Sequence, residues 1–481
     1  MRRGVSILVL GLSAALLAAC ARLPEHLPQN PTFQPQKLAF AAARHPSPWP
    51  RQDWWQAAHA RQLDRLETMA LQRSPGLRAT AARVLYAQAQ VLRIHAGLLP
   101  HFAAGLSLTQ QYFSANGLHL QANGTSNLYG EVDPLLVHDH VDLWGRDRDL
   151  VEAARGELAM TQAQEADARL LLSTAVAVHY FALQGEEALL QREVSLQKWQ
   201  KGGVAIAQAA FASGLQPATA VQESRISVQQ SAERIAQIQS TIAAERHALA
   251  ALCGLGPDSR STAATGQLRD STPVPALPAD LPMSLLGHRP DIVARRWAVE
   301  AAAAQVRAAH AAFYPDINLN LLAGWNSIHL ADLFAPGNFA HAFGPAITLP
   351  IFEGGALRGN LRAENARFLA AQDQYQEQIL TALRQIADLL SVRKHLQTRE
   401  AALKQALQEQ QAQWRLQEAS WQAGLSDGAP RIAARVKILQ LEEQRISLRI
   451  AAWQNWALLE SALGGGYLTD KKQSSHDERK K

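Results

Sequence analysis

Two histidines separated by a single residue, His138 and His140, come nearest in type and spacing to a metal site. Side chains at positions i and i+2 of a β-strand point to the same face, so both imidazoles could bind one ion. The sequence fixes no third ligand, and a polar strand face accounts for the same pair without a metal. We therefore interpret the two histidines as residues of a polar face and predict no metal site.

The cysteine at position 20 has a different chemistry, because it ends the pattern of a bacterial lipoprotein signal. Two arginines precede an apolar run at residues 5–16, which is short for a membrane-spanning helix, and Leu-Ala-Ala-Cys follows at residues 17–20. Cleavage before Cys20 frees its amine and thiol for acylation, and two or more acyl chains give stable anchoring. The alternative is an ordinary secretory peptide with an incidental cysteine. Ala21 stands where an inner-membrane retention signal has aspartate, which favours the outer membrane.

The sequence contains no further signature of catalysis. Cys253 is the only other cysteine, so no disulfide can form within a mature chain, and its place beside Gly254 indicates a small buried residue. No glycine-rich phosphate loop, nucleophile elbow or pair of catalytic carboxylates is present. Removal of the leader lowers the net charge from +5 to about +3, which does not indicate a nucleic-acid partner. We predict neither enzyme activity nor a cofactor.

The elements that must position these residues come in two copies. Residues 75–100 recur 215 positions later as residues 290–315, with identical residues at 10 of 26 aligned positions. Farther along, Gly214-Leu215 recurs as Gly424-Leu425. The mature chain therefore consists of two copies of one unit of about 200 residues, which is a repeat architecture.

Each copy follows the same order of periodicities: a helix, two strands and two further helices. In the first copy, residues 61–99, 146–212 and 218–252 have the helical pattern, and residues 291–312 and 354–423 have it in the second. A helix over residues 146–212 is about 100 Å long at about 1.5 Å per residue. No compact domain needs a helix of that length.

Alternating polar and apolar residues predict four strands in the chain. Their approximate bounds are 101–115, 126–144, 315–325 and 339–352. Asn318 and Asn320 fall on a polar face of the third strand. Four apolar positions at the end of the fourth are the candidates for contact with lipid: Phe343, Ile347, Leu349 and Ile351. Strands of about ten residues cross a bilayer when they are tilted.

The helix at residues 218–252 places apolar side chains seven positions apart, which is typical of a coiled coil. The seam consists of Val221, Val228, Ile235, Ile242 and Leu249, with Ile238 and Leu252 between them. The second copy repeats the spacing at Ile432, Leu439, Ile446 and Trp453. The alternative is an amphipathic helix on an ordinary core.

The number of strands in each chain, four, limits how many chains can assemble into a closed barrel. An open sheet edge is not tolerated in lipid, because every backbone amide there must be paired, so the sheet must close with other chains. Two chains give eight strands with a filled interior, whereas three give twelve strands and room for a lumen. If anything is to pass through the barrel, a trimer follows, and we then predict a mainly α-helical protein with a twelve-stranded membrane barrel that a helical coiled-coil barrel continues into the periplasm.

The same patterns predict the domain boundaries. They are a signal peptide at 1–19, an anchor and extended segment at 20–60, a first repeat at 61–255, a connector at 256–283, a second repeat at 284–466 and a charged, disordered tail at 467–481.

Six short motifs resemble the recurrent wording of one family when they are taken in order. They are Asp53-Trp54-Trp55, Ser74-Pro75-Gly76-Leu77, Val141-Asp142-Leu143-Trp144-Gly145-Arg146, His288-Arg289-Pro290-Asp291-Ile292, Ala312-Phe313-Tyr314-Pro315 and Leu349-Pro350-Ile351-Phe352-Glu353-Gly354-Gly355. Over nearly the whole mature chain, the sequence resembles the TolC-like outer-membrane efflux proteins. It is most similar to their lipid-anchored NodT-type branch, which serves resistance-nodulation-division pumps.

The resemblance implies a passive trimeric exit duct for drugs or toxic small molecules in the outer membrane, with a large periplasmic portion. Its implied partners are a periplasmic adaptor (membrane fusion) protein, an inner-membrane pump and outer-membrane lipid. Four polar residues of the strands become candidates for the barrel lumen: His138, His140, Asn318 and Asn320.

The turns between the paired long helices depart from the family pattern. Gly214 and Gly424 match the hairpin glycines, but the acidic residues that usually follow are replaced by Ala220 and Ala433. Gating by those carboxylates is therefore not implied. We hypothesise that Asp427 and Arg431 contribute to the periplasmic tip or its adaptor contact; the alternative is that they are solvated turn charges.

Two other functions compete with the efflux duct. One is the outer-membrane duct of a type I protein secretion system, and the other is a lipid-anchored coiled-coil scaffold without a pore. A scaffold has no use for strand alternation at matched places in both copies, which favours a duct. The lipoprotein signal and the NodT-like motifs favour small-molecule efflux by analogy.

Overall fold

The computed structural model describes residues 51–112, 114–116, 124–259, 273–275, 287 and 289–467. The signal peptide, the acylation site Cys20, most of the connector and the charged tail beyond residue 467 lie outside these described residues.

Within the described residues there are seven α-helices. They are α1 (Arg61–Arg73), α2 (Pro75–His95), α3 (Arg146–Ala212), α4 (Ala218–Leu252), α5 (Pro290–Ala311), α6 (Ala356–Gln422) and α7 (Ala429–Ala462). The predicted helix at 61–99 is divided because Ser74 precedes a proline and leaves the helical conformation, with φ −56° and ψ 120°. No described helix is both long enough and apolar enough to cross a membrane.

Four strands are described: β1 (His101–Tyr112), β2 (Ser126–His140), β3 (Asp316–Ser327) and β4 (Phe339–Thr348). Two of the predicted strand ends were wrong by four residues. The second strand stops at His140, because the chain turns there into α3 through Gly145, whose φ is +79°. The fourth stops at Thr348, shortly before Pro350, which cannot donate a ladder hydrogen bond.

Helix, strand, strand, long helix and helix follow one another in that order twice along the chain. The long helices α3 and α6 each contain 67 residues. Their successors α4 and α7 contain 35 and 34 residues.

The chain divides into two compact units. The strand unit consists, in its described part, of Arg83–Gln162 and Ala294–Gln376 and holds all four strands. The helical unit consists of the described parts of Gln34–Ala82, Ala163–Val293 and Glu377–Lys481.

The strand unit has a small apolar core formed by α5 and α6. Val306, Ala309, Leu361 and Phe368 are buried together there. Gly156 of α3 lies so close to α5 that a β-carbon on it would stand 2.9 Å from the β-carbon of Ala301. The absence of a side chain at position 156 therefore sets the spacing of these two helices.

The helical unit has a larger core, built around aromatic rings. The rings of Phe181 and Trp453 stack at 4.8 Å, and Trp456 lies 5.5 Å from Trp453 and 5.3 Å from Trp54. Aromatic pairs of this kind each add about 0.5–1.5 kcal/mol beyond the burial of their area. Cys253 is buried in the same core, where burial raises the pKa of its thiol to about 11 and keeps it unreactive.

The heptad seam of α4 is covered within the chain. Val221, Ile242 and Leu249 are buried, and the intervening seam positions are half-buried. Ile432, Leu439 and Trp453 are buried in the same way on α7. The two shorter helices therefore pack through the stripes that the seven-residue spacing predicts.

Candidate functional site

The four strands form one antiparallel sheet in the order β1-β2-β3-β4. Residues in register across the sheet share a face, because side chains alternate along each strand. One row contains Phe102, Val137, Leu321 and Phe343. Phe102 and Phe343 are 69% and 68% exposed, so no described part of the chain covers these two ends of the apolar row.

The opposite face carries the predicted polar residues in register. His138 is paired with Asn320, and His140 with Asn318. The Nδ1 atom of His138 lies 2.7 Å from Oδ1 of Asn320, a hydrogen bond that requires the proton on Nδ1. All four residues predicted to line a lumen therefore lie on one face of β2 and β3.

The two histidines do not act as a pair, because His140 has partners of its own. Its Nδ1 lies 2.5 Å from Asp147 Oδ2 and its Nε2 lies 2.6 Å from Asp316 Oδ1. Within the described ranges, no group of three or more His, Cys, Asp or Glu side chains could hold a metal ion. His140 instead ties the end of β2 to the first turn of α3 and the start of β3.

An irregularity in β2 shapes the middle of the sheet. The register with β3 shifts between Val132 and Leu135, and Asp133 at this bulge is buried. A β-carbon at Gly324 on β3 would collide with the backbone of β2 at Val132 and Asp133. Only glycine fits this close approach of two backbones.

Two of the family-like motifs meet where β2 turns into α3. The ring of Trp144 stacks on Tyr314 at 4.8 Å, and its Nε1 donates to the carbonyl of Pro315 over 2.8 Å. The motifs at 141–146 and 312–315 are therefore a structural joint. The sequence signals each motif, but the contact between them spans about 170 residues and has no local signature.

The helical unit contains two helix hairpins whose turns have the same backbone. At the first turn Gly214 has φ +69°, and the amide of Leu215 donates to the carbonyl of Ala210 over 2.9 Å. At the second, Gly424 has φ +70°, and Leu425 donates to Ser420 over 2.9 Å. Both are Schellman motifs, which end a helix with a glycine in the left-handed region.

Each turn exposes a leucine directly after its glycine. Leu215 is 79% exposed and Leu425 is 81% exposed. The two turns therefore present an apolar side chain to solvent at matched places.

The second turn has additional contacts that hold it to its helices. The guanidinium carbon of Arg431 lies 3.8 Å from the centre of the Trp421 ring, and its Nη1 lies 3.3 Å from Glu418 Oε1. Arg431 is half-buried and belongs to the hairpin joint. Asp427 is exposed, and its Oδ1 accepts the amide of Ala429 over 3.0 Å at the start of α7.

A buried ion pair explains the Arg-Pro-Asp motif at the start of α5. Arg289 is 6% exposed, and its Nη2 lies 2.7 Å from Asp291 Oδ2. Arg289 also donates to Gln385 of α6 over 3.1 Å and to the carbonyl of Ala462 at the end of α7 over 2.9 Å. Within the helical unit, one side chain thus joins the first turn of α5 to α6 and to the end of α7.

Comparison with known proteins extends over most of the chain. The family described as "Outer membrane efflux protein" matches residues 66–255 and 281–465. The fusaric acid resistance protein FusA of Burkholderia cepacia is 32% identical over 371 residues, covering 75% of this chain and 69% of that protein. The multidrug resistance outer membrane protein MdtP of Escherichia coli K12 is 29% identical over 469 residues, covering 95% of each. The crystal structure of the outer membrane protein VceC of Vibrio cholerae matches with a TM-score of 0.78 at 32% identity, over 87% of this chain and 100% of that one.

Proposed function

The chain belongs to the outer membrane efflux protein family and is an efflux channel of the outer membrane, and from this premise we propose that three copies assemble into a passive exit duct. The family resemblance predicted from the six motifs is confirmed, as is the predicted fold of long helices with four strands.

The observation that carries the proposal is the open sheet of the strand unit. Among the residues that the structure describes, β1 and β4 each pair on one side only, and large apolar side chains on both strands are exposed. Such edges need partner strands in lipid, because unpaired amides there cost several kcal/mol each. Three copies supply twelve strands, which is enough for a lumen.

In this assembly, the two faces of the sheet have different surroundings. The row that contains Phe102 and Phe343 faces lipid, and the face with His138, His140, Asn318 and Asn320 lines the lumen. The acyl chains on Cys20 add a second anchor in the same membrane.

The hairpin turns are the surfaces proposed for the partner proteins. Leu215 and Leu425 supply apolar contact for a periplasmic adaptor, and Gly214 and Gly424 shape the turns that present them. Asp427 lies exposed beside the second turn, and Arg431 contributes by holding that turn in place. An inner-membrane pump supplies the energy, and the duct has no catalytic role.

The proposed cargo is drugs or toxic small molecules. Two relatives support this class, since one is named for resistance to fusaric acid and the other for multidrug resistance. A type I secretion duct would export protein instead.

Assembly and conduction are tested together on the mature protein purified in detergent. Native mass measurement is expected to give a trimer, and planar-bilayer recording is expected to give small or rarely opening channels. A monomer or dimer without conductance would contradict the duct and favour the lipid-anchored scaffold.

The adaptor surface is tested in cells with Leu215→Ser and Leu425→Ser together. Loss of resistance with normal trimer content is expected, and so is loss of adaptor capture by the purified trimer. Leu416→Ser is the matched control, because Leu416 is 72% exposed on the side of α6 rather than at a turn. Equal resistance in all three strains would remove the turns from the adaptor contact.

A further inference from the structure

The helical unit contains a cavity whose lining is unlike that of an ordinary helix interface. It has a volume of about 910 Å³ and is lined by α3, α4, α6 and α7. Three carboxyl groups and two guanidinium groups line it: Glu186, Glu193, Glu443, Arg234 and Arg399. Most of the remaining lining is aliphatic, including Leu189, Ile238, Leu403 and Leu448. A charged and apolar wall of this kind fits an amphiphilic ligand.

Two of these carboxyl groups lie next to each other, and no hydrogen-bond donor of the described residues lies between them. Glu193 of α3 and Glu443 of α7 lie within hydrogen-bonding reach of each other. Glu193 is only 1% exposed, yet its Oε2 has no hydrogen-bond partner, and neither does the buried Oε1 of Glu443. Ionised carboxylates only accept hydrogen bonds, so a proton or another cation must lie between them.

The surrounding charges limit which cation fits. When all the groups that line the cavity are ionised, three carboxylates face two guanidiniums and leave one negative charge. That balance suits a monovalent cation. A divalent metal ion needs more oxygen ligands than this pair provides, and no metal-binding group of three carboxyl or imidazole side chains occurs among the described residues.

We propose that this cavity binds an organic monocation, a protonated amine with an apolar body, which replaces the proton shared by Glu193 and Glu443. The ammonium group donates charge-assisted hydrogen bonds to both carboxylates, and the aliphatic wall covers the carbon body. The site is distinct from the hairpin turns and does not depend on which adaptor or pump the duct serves.

Binding must release a proton, which gives the site a characteristic pH dependence. Burial, together with the hydrogen bond and negative charge of Glu193, raises the pKa of Glu443 to about 8. Near neutral pH the amine therefore competes with a bound proton, and its affinity is expected to fall about tenfold for each pH unit below 7.

Isothermal titration calorimetry on the full mature protein in detergent tests the proposal with 1-naphthylmethylamine. Its uncharged analogue 1-naphthylmethanol is the matched ligand control. The amine is expected to bind at pH 8, at least tenfold more tightly than the alcohol. Equal binding of the two ligands would overturn the proposal, because the carboxyl pair would then contribute nothing.

Two variants locate the site. Glu193→Gln and Glu443→Gln each keep the side-chain volume and remove one charge, and each is expected to weaken amine binding at least tenfold. Glu409→Gln, an exposed position on α6 outside the cavity, is expected to bind as the unaltered protein does. Unchanged binding by both cavity variants would place the amine elsewhere and refute the proposal.

A measurement on the unaltered protein covers the case in which a variant fails to fold. Titrations at pH 7 in two buffers with different ionisation heats count the protons released on binding. Release of close to one proton is expected, and release of none would refute exchange at the pair. Conductance and trimer formation are independent readouts, so failure of the exit duct and failure of this site are distinguishable.

Discussion

The turns of the two helix hairpins have the same backbone conformation but differ in the side chains that hold them in place. Gly214 and Gly424 have nearly the same φ, and the leucine after each is about equally exposed. The second turn adds Arg431 packed on Trp421, whereas the position that corresponds to Arg431 in the first copy is Val221, a residue of the heptad seam. The duplication has kept the turn geometry, and the side chains that secure it have diverged.

The starts of α2 and α5 differ in a similar way. Pro75 and Pro290 correspond, and the residues before them are Ser74 and Arg289. The hydroxyl of Ser74 accepts the amide of Leu77 over 3.4 Å, which is a local cap. Arg289 joins three helices instead. The second copy therefore depends on long-range charged contacts at places where the first uses local or apolar ones.

The largest effect is expected from Arg289→Ala. The change leaves the carboxylate of Asp291 without its charge partner, and breaking a buried pair in this way costs about 3–5 kcal/mol. Ser74→Ala at the corresponding place removes a cap and is expected to cost about 1 kcal/mol. The free energy of unfolding in detergent measures both. Equal losses would contradict a second copy that depends more on charge.

Glu460→Gln tests a carboxyl group in the second copy. Burial raises the pKa of Glu460 to about 7, so between pH 4.5 and 7 the folded chain binds more protons than the unfolded chain. Stability from this group is therefore present at pH 4.5 and is lost as the pH rises to 7, a loss of about 3 kcal/mol at most.

The free energy of unfolding of the Glu460→Gln variant is expected to fall less between pH 5 and pH 8 than that of the unaltered protein. Unfolding free energies at the two pH values provide the test. The Trp456 Nε1–H donates to Oε1 of Glu460, and glutamine can accept the same hydrogen bond. An unchanged pH slope would show that Glu460 is ionised in the folded protein.

Gly428→Ala and Gly214→Ala separate backbone strain from crowding. Both glycines have positive φ, so alanine costs about 1 kcal/mol at either place. A β-carbon at Gly428 would also stand 3.0 Å from the Trp421 ring, whereas nothing lies within 4 Å at Gly214. Gly428→Ala is expected to cost about 1 kcal/mol more in thermal unfolding. An equal cost would show that Trp421 moves aside freely.

The smallest effects are expected at the charged residues of the second turn. Arg431→Lys keeps the charge but loses the planar contact with Trp421, and it is expected to lower the free energy of unfolding by about 0.5–1 kcal/mol. Asp427→Ala removes an exposed contact to the Ala429 amide and is expected to cost about 0.5 kcal/mol. If either variant loses binding to the proposed adaptor without losing stability, the residue is expected to touch that adaptor directly.

Much of the fold follows from local punctuation in the sequence. The bounds of α3 and α4 match the predicted 146–212 and 218–252, because glycine and proline at 214 and 217 interrupt otherwise continuous helical patterns. The ends of β2 and β4 were instead predicted too late. Apolar residues continue past both strand ends, so the polar–apolar alternation did not mark where either strand stops.

The sites were less predictable because their contacts are long-range. The spacing of His138 and His140 correctly placed both on one face, but it could not show that Asp316 takes one ring nitrogen of His140. Glu193 and Glu443 are 250 residues apart, and each reads as an ordinary polar position of a long helix. Only the packing of α3 against α7 brings the pair together.

The even number of strands in the chain also determines how the strands of neighbouring copies can pair. Each of the four strands is antiparallel to its neighbour, so β1 and β4 run in opposite directions. When β4 of one copy meets β1 of the next, the alternation of directions continues unbroken, and every seam in a ring of copies is the same. A chain with three or five such strands would bring two parallel edges together at each seam. Gain or loss of strands in this chain therefore keeps every seam antiparallel only when it occurs in whole hairpins.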